Sequence, residues 1–157
     1  MSTAALELHH TAYRVPTIEK SISDWCRRFG ARVELGPTAV AADRVVVAFL
    51  SFPGGRIELI ESQDSNTPSP TQMRRPDHVC FICSDFDDRV ARAAAENAFV
   101  VRTPAPSEAF GMRRMCFVLY NDIGLVELVE ARAQSVTRSI FEPTLKLSNR
   151  EAEVGRE

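Results

Sequence analysis

The sequence lacks a long apolar run, a basic surplus and a leader-like N-terminus. No stretch contains the roughly 18 consecutive apolar residues that a membrane-spanning helix needs, so we expect no membrane span. Residues 1–7 have neither the basic region nor the apolar region of a secretory signal, and we expect a cytoplasmic protein. A net charge of −2 gives no reason to expect nucleic acid as a partner, since proteins that bind it usually carry excess positive charge.

Cysteines are few, and their spacing does not support a redox or zinc site. Of Cys26, Cys80, Cys83 and Cys116, only the pair Cys80 and Cys83 has CxxC spacing. The pair falls in an apolar run predicted as a strand, where side chains three positions apart point to opposite faces. A redox CxxC pair lies instead at a helix N-terminus, and no second CxxC is present to complete a zinc set. We therefore interpret all four cysteines as small buried hydrophobes.

The strongest positive signal is an internal repeat. His10 and His78 each begin an apolar run, and Glu58 and Glu127 each lie between apolar neighbours. His78 follows His10 by 68 positions, and Glu127 follows Glu58 by 69. A repeat with one inserted residue explains both spacings, and self-similarity of this kind indicates two copies of one structural unit.

Each half has the same predicted order of a strand, a helix and three further strands. In the first half we predict strands over residues 6–15, 32–35, 45–52 and 56–61 and a helix over 18–29, capped by Thr17 and ended by Gly30. In the second half we predict strands over residues 78–83, 99–102, 112–120 and 125–131 and a helix over 86–97. We expect one α+β domain over residues 1–157, with module one at about 6–61, a linker at 62–76, module two at about 77–131 and a polar C-terminal tail at 132–157.

Strand alternation places Glu58 and Glu127 on the face opposite the core, because both alternate with apolar residues expected inside. If the two modules join into one curved sheet, His10, Glu58, His78 and Glu127 converge inside its concavity. Two imidazoles and two carboxylates suit one divalent ion such as Zn²⁺, Ni²⁺, Co²⁺, Mn²⁺ or Fe²⁺. The four residues are our candidate metal ligands.

Three nearby polar residues receive a different interpretation. His9 alternates with His10, so we expect its side chain to face the other way and to be structural. Glu61 and Glu130 have the opposite parity from Glu58 and Glu127, and we expect them at the surface or at an edge.

These residues resemble the vicinal oxygen chelate superfamily, which contains the glyoxalases, the bleomycin resistance proteins and the extradiol dioxygenases. The similarity covers about residues 6–131. It implies paired βαβββ modules that form a cup around a metal, with ligands from the histidine that opens each module and the glutamate in its last strand. Those positions are His10, Glu58, His78 and Glu127.

A complete set of four ligands is similar to the isomerase and epimerase branch of the superfamily. The resemblance implies a metal-dependent isomerase or epimerase, closest to methylmalonyl-CoA epimerase-like proteins. Such an enzyme moves a proton beside a carbonyl or thioester through an enolate, and Glu127 and Glu58 are the candidate bases. Two alternatives stay open: a lactoylglutathione lyase (glyoxalase I), and a small-molecule (antibiotic) binding protein without catalysis.

The same resemblance suggests residues that hold the substrate. Arg14 shares the predicted face of His10, at a place where glyoxalase I-like proteins hold glutathione with an arginine. Residues 104–114 look like a substrate-side loop of epimerase-like proteins. Arg113 and Arg114 in this segment are candidates to bind the phosphates of coenzyme A or of a carrier-protein arm, and so are Arg74 and Arg75. The expected substrate is an acyl-CoA, a carrier-bound acyl group or a glutathione adduct, and the expected assembly is a homodimer.

Two departures from the family pattern bear on these alternatives. The Asp-Pro-Asp-Gly turn usual in glyoxalase I-like proteins is replaced by Asn-Asp-Ile-Gly at residues 121–124. The long strand at 45–52 offers no second acid–base carboxylate, although epimerases are expected to have one there. A two-base epimerisation would therefore need Glu58 and Glu127 as its pair.

Overall fold

The computed structural model describes residues 6–64 and 76–132. Most of the expected linker, including Arg74 and Arg75, and nearly all of the expected polar tail lie outside these residues. Module one comprises β1 (Glu7–Arg14), α1 (Ile18–Phe29), β2 (Arg32–Val40), β3 (Val45–Phe52) and β4 (Gly55–Ser62). Module two comprises β5 (Pro76–Cys83), α2 (Phe86–Ala95), β6 (Phe99–Ser107), β7 (Arg113–Tyr120) and β8 (Gly124–Glu130). The predicted α+β fold with two βαβββ modules is confirmed.

The two modules form one curled eight-stranded sheet, in the order β2-β3-β4-β1-β5-β8-β7-β6. Within each module the first strand pairs in parallel with the last, β1 with β4 and β5 with β8. The modules meet where β1 pairs antiparallel with β5, and His10 lies opposite Cys80 in that pairing. The sequence repeat therefore appears as a near-symmetric sheet with β1 and β5 at its centre.

Helix α1 begins and ends at the predicted residues, but its first turn is capped in an unexpected way. Gly30 adopts a left-handed conformation, with φ of 67°, and its N–H donates to the Cys26 carbonyl, as expected for a terminating glycine. Thr17 makes no side-chain capping hydrogen bond. The Ile18 N–H donates instead to Oε2 of Glu61, at 2.7 Å, and a carboxylate is favourable at this positive end of the helix. Thr17 therefore occupies the predicted N-cap position, but its side chain does not make the capping hydrogen bond.

Strands β2 and β6 are longer than predicted. Strand β2 continues through Gly36 and Pro37, beyond the predicted end at residue 35, and β6 continues through Pro104 and Pro106, beyond the predicted end at residue 102. Both strands lie at an edge of the sheet and contain register shifts, and an edge strand tolerates proline because its outward N–H groups need no partner. Residues 104–114 are therefore not one loop but the end of β6, a 3₁₀ turn and the start of β7.

The core lies mainly between each helix and the sheet. In module one it includes Ile18, Ala48, Leu50 and Leu59, and in module two it includes Phe86, Cys116, Val118 and Leu128. Each large apolar side chain buried in this way stabilises the fold by roughly 1.5–3 kcal/mol. Among the described residues, neither helix is long and apolar enough to cross a membrane.

The cysteines fit the sequence interpretation. Cys80 and Cys83 are both buried but belong to different clusters on opposite faces of the sheet, so they do not form a CxxC site. Cys116 is also buried, whereas Cys26 is only partly so.

Candidate metal centre

The four candidate ligands come from the four central strands of the sheet. In strand order they are Glu58 on β4, His10 on β1, His78 on β5 and Glu127 on β8. The register is the same in both modules, because each glutamate pairs with the residue two positions after its module's histidine: Glu58 with Ala12, and Glu127 with Cys80. The histidines are therefore central, and one carboxylate lies on either side of them.

The four side chains converge on the concave face, as the parity argument predicted. Nε2 of His10 lies 3.3 Å from Nε2 of His78 and 3.3 Å from Oε2 of Glu58. Nε2 of His78 lies 3.5 Å from the same Glu58 oxygen. Oε2 of Glu127 lies 3.5 Å from the His10 nitrogen and 3.4 Å from the His78 nitrogen. Four potential ligand atoms thus surround one small volume.

This geometry fits a divalent ion. His10, His78 and Glu127 offer ligand atoms at the corners of a nearly equilateral triangle with sides of 3.3–3.5 Å. The centre of such a triangle lies about 2 Å from each corner, which is the length of Zn–N and Zn–O bonds. Oε2 of Glu127 is also buried without a hydrogen-bond partner in the described part of the chain, which is unusual for a carboxylate unless an ion completes its surroundings. Glu58 offers a fourth donor.

Burial and mutual charge shift the pKa values in this cluster, whose four side chains are all at most 5% exposed. Burial raises the pKa of Glu58 to about 7. Burial also lowers the pKa of His10, and the value stays at about 4 although the negative charge of Glu127 acts to raise it. For His78, burial alone lowers the pKa, but the acidic neighbours Asp77 and Glu127 raise it to about 9 overall. Without a bound cation, a proton on His78 therefore supplies positive charge to the cluster.

Asp77 supports His78 from outside the cluster, a role that the sequence reading missed. Its Oδ2 lies 3.1 Å from Nδ1 of His78, and its Oδ1 accepts a hydrogen bond of 2.7 Å from Nε of Arg14. A carboxylate on the second ring nitrogen directs Nε2 at the cluster and makes it a better metal ligand. The available signal was an acidic residue directly before a candidate ligand.

Aromatic rings fix both histidines in a similar way. The Phe49 ring contacts His10 edge-on with the centroids 5.2 Å apart, and the Phe117 ring contacts His78 with the centroids 5.0 Å apart. Phe49 and Phe117 pair with Glu58 and Glu127 respectively in the sheet, so they occupy equivalent positions in the two modules. Apolar rings around the donors restrict the side chains and exclude water.

The expectation that His9 faces away from His10 is wrong. Its Nδ1 lies 2.8 Å from Nδ1 of His10, and both rings contact Phe49 and Phe110. The pairing of β1 with β5 shifts register between Leu8 and His10, and such a bulge breaks the strict alternation of side chains.

His9, His10 and Cys80 form a second group whose ligand atoms lie within 4.8 Å of one another. This group is a poorer metal site than the first. Burial and the nearby Glu127 carboxylate strongly raise the pKa of the Cys80 thiol, which keeps it protonated. The Arg56 guanidinium also donates to Nε2 of His9, at 2.6 Å, and places a positive charge beside the group.

A cavity of about 330 Å³ opens next to the metal cluster. Glu58, His78 and Glu127 line it on one side, and Arg14 lies at its rim beside Asp77. Much of the remaining wall is apolar and is formed by Val40, Val45, Val47, Ile60, Met115 and Phe117. The structure therefore brings Arg14 and the predicted ligands into one site.

Arg113 and Arg114 are not among the residues that line this cavity. Arg113 donates to the carbonyls of Phe110 and Glu130. Arg114 donates to the carboxylates of Glu130 and Asp87, and its guanidinium lies over the Phe86 ring at the helix-covered face. These contacts give no support to a substrate role for Arg114. Glu130 lies at the partly exposed edge, paired with this arginine.

Comparisons with known proteins agree with the fold. A family model described as the Glyoxalase/Bleomycin resistance protein/Dioxygenase superfamily matches residues 9–117, a range that includes His10, Glu58 and His78 but not Glu127. No protein of curated function gives a significant match.

Solved structures with the same fold include two methylmalonyl-CoA epimerases. The Mycobacterium tuberculosis epimerase is 20% identical, with a TM-score of 0.70 over 85% of this chain and 93% of that chain. A Streptomyces coelicolor epimerase variant in complex with 2-nitronate-propionyl-CoA is 18% identical, with a TM-score of 0.66 over 84% of this chain and 100% of the other. A hypothetical protein from Bacillus halodurans C-125 is 17% identical, with a TM-score of 0.69 over 83% and 98%. At these identities the likeness shows the fold alone.

Proposed function

The chain belongs to the glyoxalase/bleomycin resistance protein/dioxygenase superfamily, and we propose that it is a metal-dependent isomerase or epimerase that moves a proton at the carbon beside the carbonyl of an acyl thioester. One observation carries the proposal. Two buried histidines, whose Nε2 atoms lie 3.3 Å apart, each have an oxygen of Glu58 and of Glu127 within 3.3–3.5 Å, and the group adjoins a cavity that is large enough for an acyl group.

His10, His78 and Glu127 would hold the metal ion, with Glu58 as a fourth donor. A divalent ion bound here would act as a Lewis acid. It would stabilise negative charge on a carbonyl oxygen and so make the neighbouring C–H more acidic. Asp77 and the Phe117 ring hold His78 in the orientation that this task needs.

Glu58 is suited to take a proton from carbon and to return it. In the metal-free cluster, burial raises the pKa of its carboxyl to about 7, and a carboxylate held among apolar neighbours is a stronger base than an exposed one. Glu127 also lines the cavity, from the opposite side of the histidine pair. One carboxylate can therefore remove a proton from one face of a planar intermediate while the other returns a proton to the opposite face, as an epimerisation requires.

The cavity walls support this chemistry. Val40, Val47 and Ile60 belong to an apolar cluster beside Glu58, and Phe110 and Met115 belong to a second cluster next to it. The apolar part of the wall lowers the local dielectric constant beside Glu58 and so strengthens charge interactions there. Similarity to methylmalonyl-CoA epimerases supports an acyl thioester as the substrate class of this chain. One of those epimerases was solved with a coenzyme A ligand.

A lactoylglutathione lyase is the second candidate, and Arg14 is the observation that favours it. Arg14 lies at the cavity rim, where glyoxalase I-like proteins hold glutathione with an arginine. In this chain Arg14 is already bonded to Asp77, so a glutathione carboxylate would have to share it. A binding protein without catalysis would keep the cavity and give no proton exchange. The homodimer implied by the resemblance stays a prediction.

The test measures exchange of the α-proton for deuterium. Protein purified without added metal would be analysed for bound ions and then incubated in D₂O with a methyl-branched acyl-CoA or with the hemithioacetal of glutathione. We expect exchange on the thioester that disappears after chelation and in His78→Ala. Exchange on the hemithioacetal alone would favour the lyase, and no exchange on either compound in the metal-loaded protein would contradict an enzyme of either kind.

A further inference from the structure

A second groove, of about 530 Å³, lies at the C-terminal end of β1 beside α1. Its lining includes Tyr13, Arg14, Lys20, Asp24, Trp25 and Arg28, and we call it the basic groove. Arg14 lines both this groove and the cavity of the metal centre. The two spaces therefore lie on either side of Arg14, next to each other at the end of β1.

The charge of the basic groove suits an anion. Three cationic side chains line it against the single carboxylate of Asp24. Nζ of Lys20 lies 2.9 Å and Nε of Arg28 lies 3.7 Å from that carboxylate, and these two side chains are 75% and 59% exposed. Ion pairs that are this exposed contribute little to stability, so both cations are available to an incoming phosphate, which forms stronger charge-assisted hydrogen bonds.

Module two carries different side chains at the positions equivalent to those of the basic groove. The two helices begin at equivalent buried residues, Ile18 and Phe86, which are 68 positions apart. At the same offset, Arg14, Lys20, Asp24 and Arg28 correspond to Ile82, Asp88, Arg92 and Glu96. Every charge is lost or reversed while the helix keeps its place on the sheet. The charged positions of the basic groove therefore differ from those of module two, whose own groove beside α2 is lined by Arg89, Arg92 and Glu96 at other positions.

The basic groove also offers an aromatic surface. Trp25, the single tryptophan of the chain, lines the groove together with Tyr13, and their ring centroids lie 5.9 Å apart. The equivalent position in module two is Ala93. Aromatic side chains beside cations are the combination that binds a nucleotide, because the flat base stacks and the phosphates pair with the cations.

We propose that the basic groove binds the nucleotide end of a coenzyme A thioester whose acyl end lies in the cavity of the metal centre. This inference rests on the proposed function. Lys20 and Arg28 pair with the phosphates, and the rings of Trp25 and Tyr13 stack on the adenine. The pantetheine arm of the ligand passes Arg14 on its way from the groove to the cavity. A glutathione adduct carries carboxylates but no purine, and would leave the aromatic surface without a partner.

The first experiment titrates the metal-loaded protein with adenosine 3′,5′-bisphosphate and follows the fluorescence of Trp25. We expect quenching that saturates. The double variant Lys20→Asp/Arg28→Glu introduces the residues of module two, and removing two charge-assisted contacts should raise the Kd about tenfold or more. Arg27→Glu is the matched control: it is an exposed arginine of the same helix that pairs with Asp24 but does not line the groove. We expect its Kd to change less than about twofold.

The second experiment compares α-proton exchange on an acyl-CoA with exchange on the corresponding N-acetylcysteamine thioester, which has no nucleotide. The ratio of the two kcat/KM values should fall about tenfold in the double variant and stay within about twofold in Arg27→Glu. If the bisphosphate does not quench the fluorescence, or if the ratio is equal in all three proteins, the basic groove does not bind the nucleotide. Neither result would contradict the proposed exchange activity. Saturable quenching without exchange on either thioester would instead contradict the proposed function. Quenching by glutathione and not by the bisphosphate would also overturn the inference.

Discussion

Nε2 of His10 lies 3.3 Å from Nε2 of His78, although the two residues are 68 positions apart in the chain. At this separation the lone pairs of two unprotonated ring nitrogens would repel each other. A proton shared between the nitrogens, or a cation bound by both, removes that repulsion. Two carboxylate oxygens lie within 3.3–3.5 Å of both nitrogens, so negative charge is available for either. The following predictions depend on this arrangement.

We predict about one divalent ion per chain in the native protein, since the donor set forms one site. Replacing His78 with alanine removes a central donor and should lower the metal affinity by roughly 100-fold or more, beyond the effect of losing a supporting residue. The measurement is competition with a chelator, followed by mass spectrometry. Glu130→Gln changes a carboxylate at the edge and serves as the control. Equal affinity in His78→Ala and the native protein would disprove the site.

Asp77→Asn should weaken metal binding without removing a ligand. The amide is a poorer acceptor for the His78 Nδ1–H, so the affinity should fall by roughly 10- to 100-fold. Asp43→Asn is a matched control, because Asp43 also lines the cavity and pairs with an arginine, Arg102, but is not among the contacts of either histidine. If both variants lose the same affinity, the effect comes from the charge of the cavity and not from the orientation of His78.

Glu58→Gln and Glu127→Gln should each keep the fold and reduce epimerisation by about 10²–10⁴-fold, the contribution typical of a general base. The two variants should differ in stereochemistry, because their carboxylates lie on opposite sides of the histidine pair. We expect each variant to retain proton exchange on a different enantiomer of the substrate, observed by nuclear magnetic resonance in D₂O. Native rates in both variants would exclude these glutamates as bases.

The metal-free protein should become less stable as the pH rises from 7 to 9. The pKa of His78 is raised to about 9 from an unfolded value near 6.5, so the folded state binds more protons than the unfolded state across this window. The stabilisation is complete below the unfolded pKa and is lost as the pH passes the folded one. Thermal unfolding after chelation should show a falling Tm, and saturating metal should remove the slope. A Tm that rises over this range would contradict the assignment.

Glu61→Ala should destabilise the protein by about 0.5–2 kcal/mol, the effect of losing a helix N-cap. Its carboxylate is the acceptor for the Ile18 N–H, whereas the Thr17 side chain caps nothing. Thr17→Ala should therefore cost much less, and chemical denaturation of the two variants compares them directly. A larger loss in Thr17→Ala would mean that the threonine caps the helix in solution.

Several features were predictable because they depend on local periodicity. The apolar spacing predicted α1 to the residue, and alternation placed Glu58 and Glu127 opposite the core. Other features were not predictable, because they depend on which strands are neighbours. The strands predicted to end at residues 35 and 102 continue through Pro37 and Pro104, because both are edge strands that tolerate proline. His9 broke the alternation because a bulge lies between β1 and β5.

The sequence alone determined the repeat, the element order and the donor types, since these follow from spacing and from side-chain chemistry. Only the tertiary structure decided that β1 pairs with β5, which brings His10 and His78 together across 68 positions. Tertiary packing likewise paired Arg114 with Asp87 and Glu130, paired Arg14 with Asp77, and placed Arg14 in the walls of both the metal cavity and the basic groove. Contacts between distant segments depend on the registers of paired strands, and no local pattern in the chain specifies them.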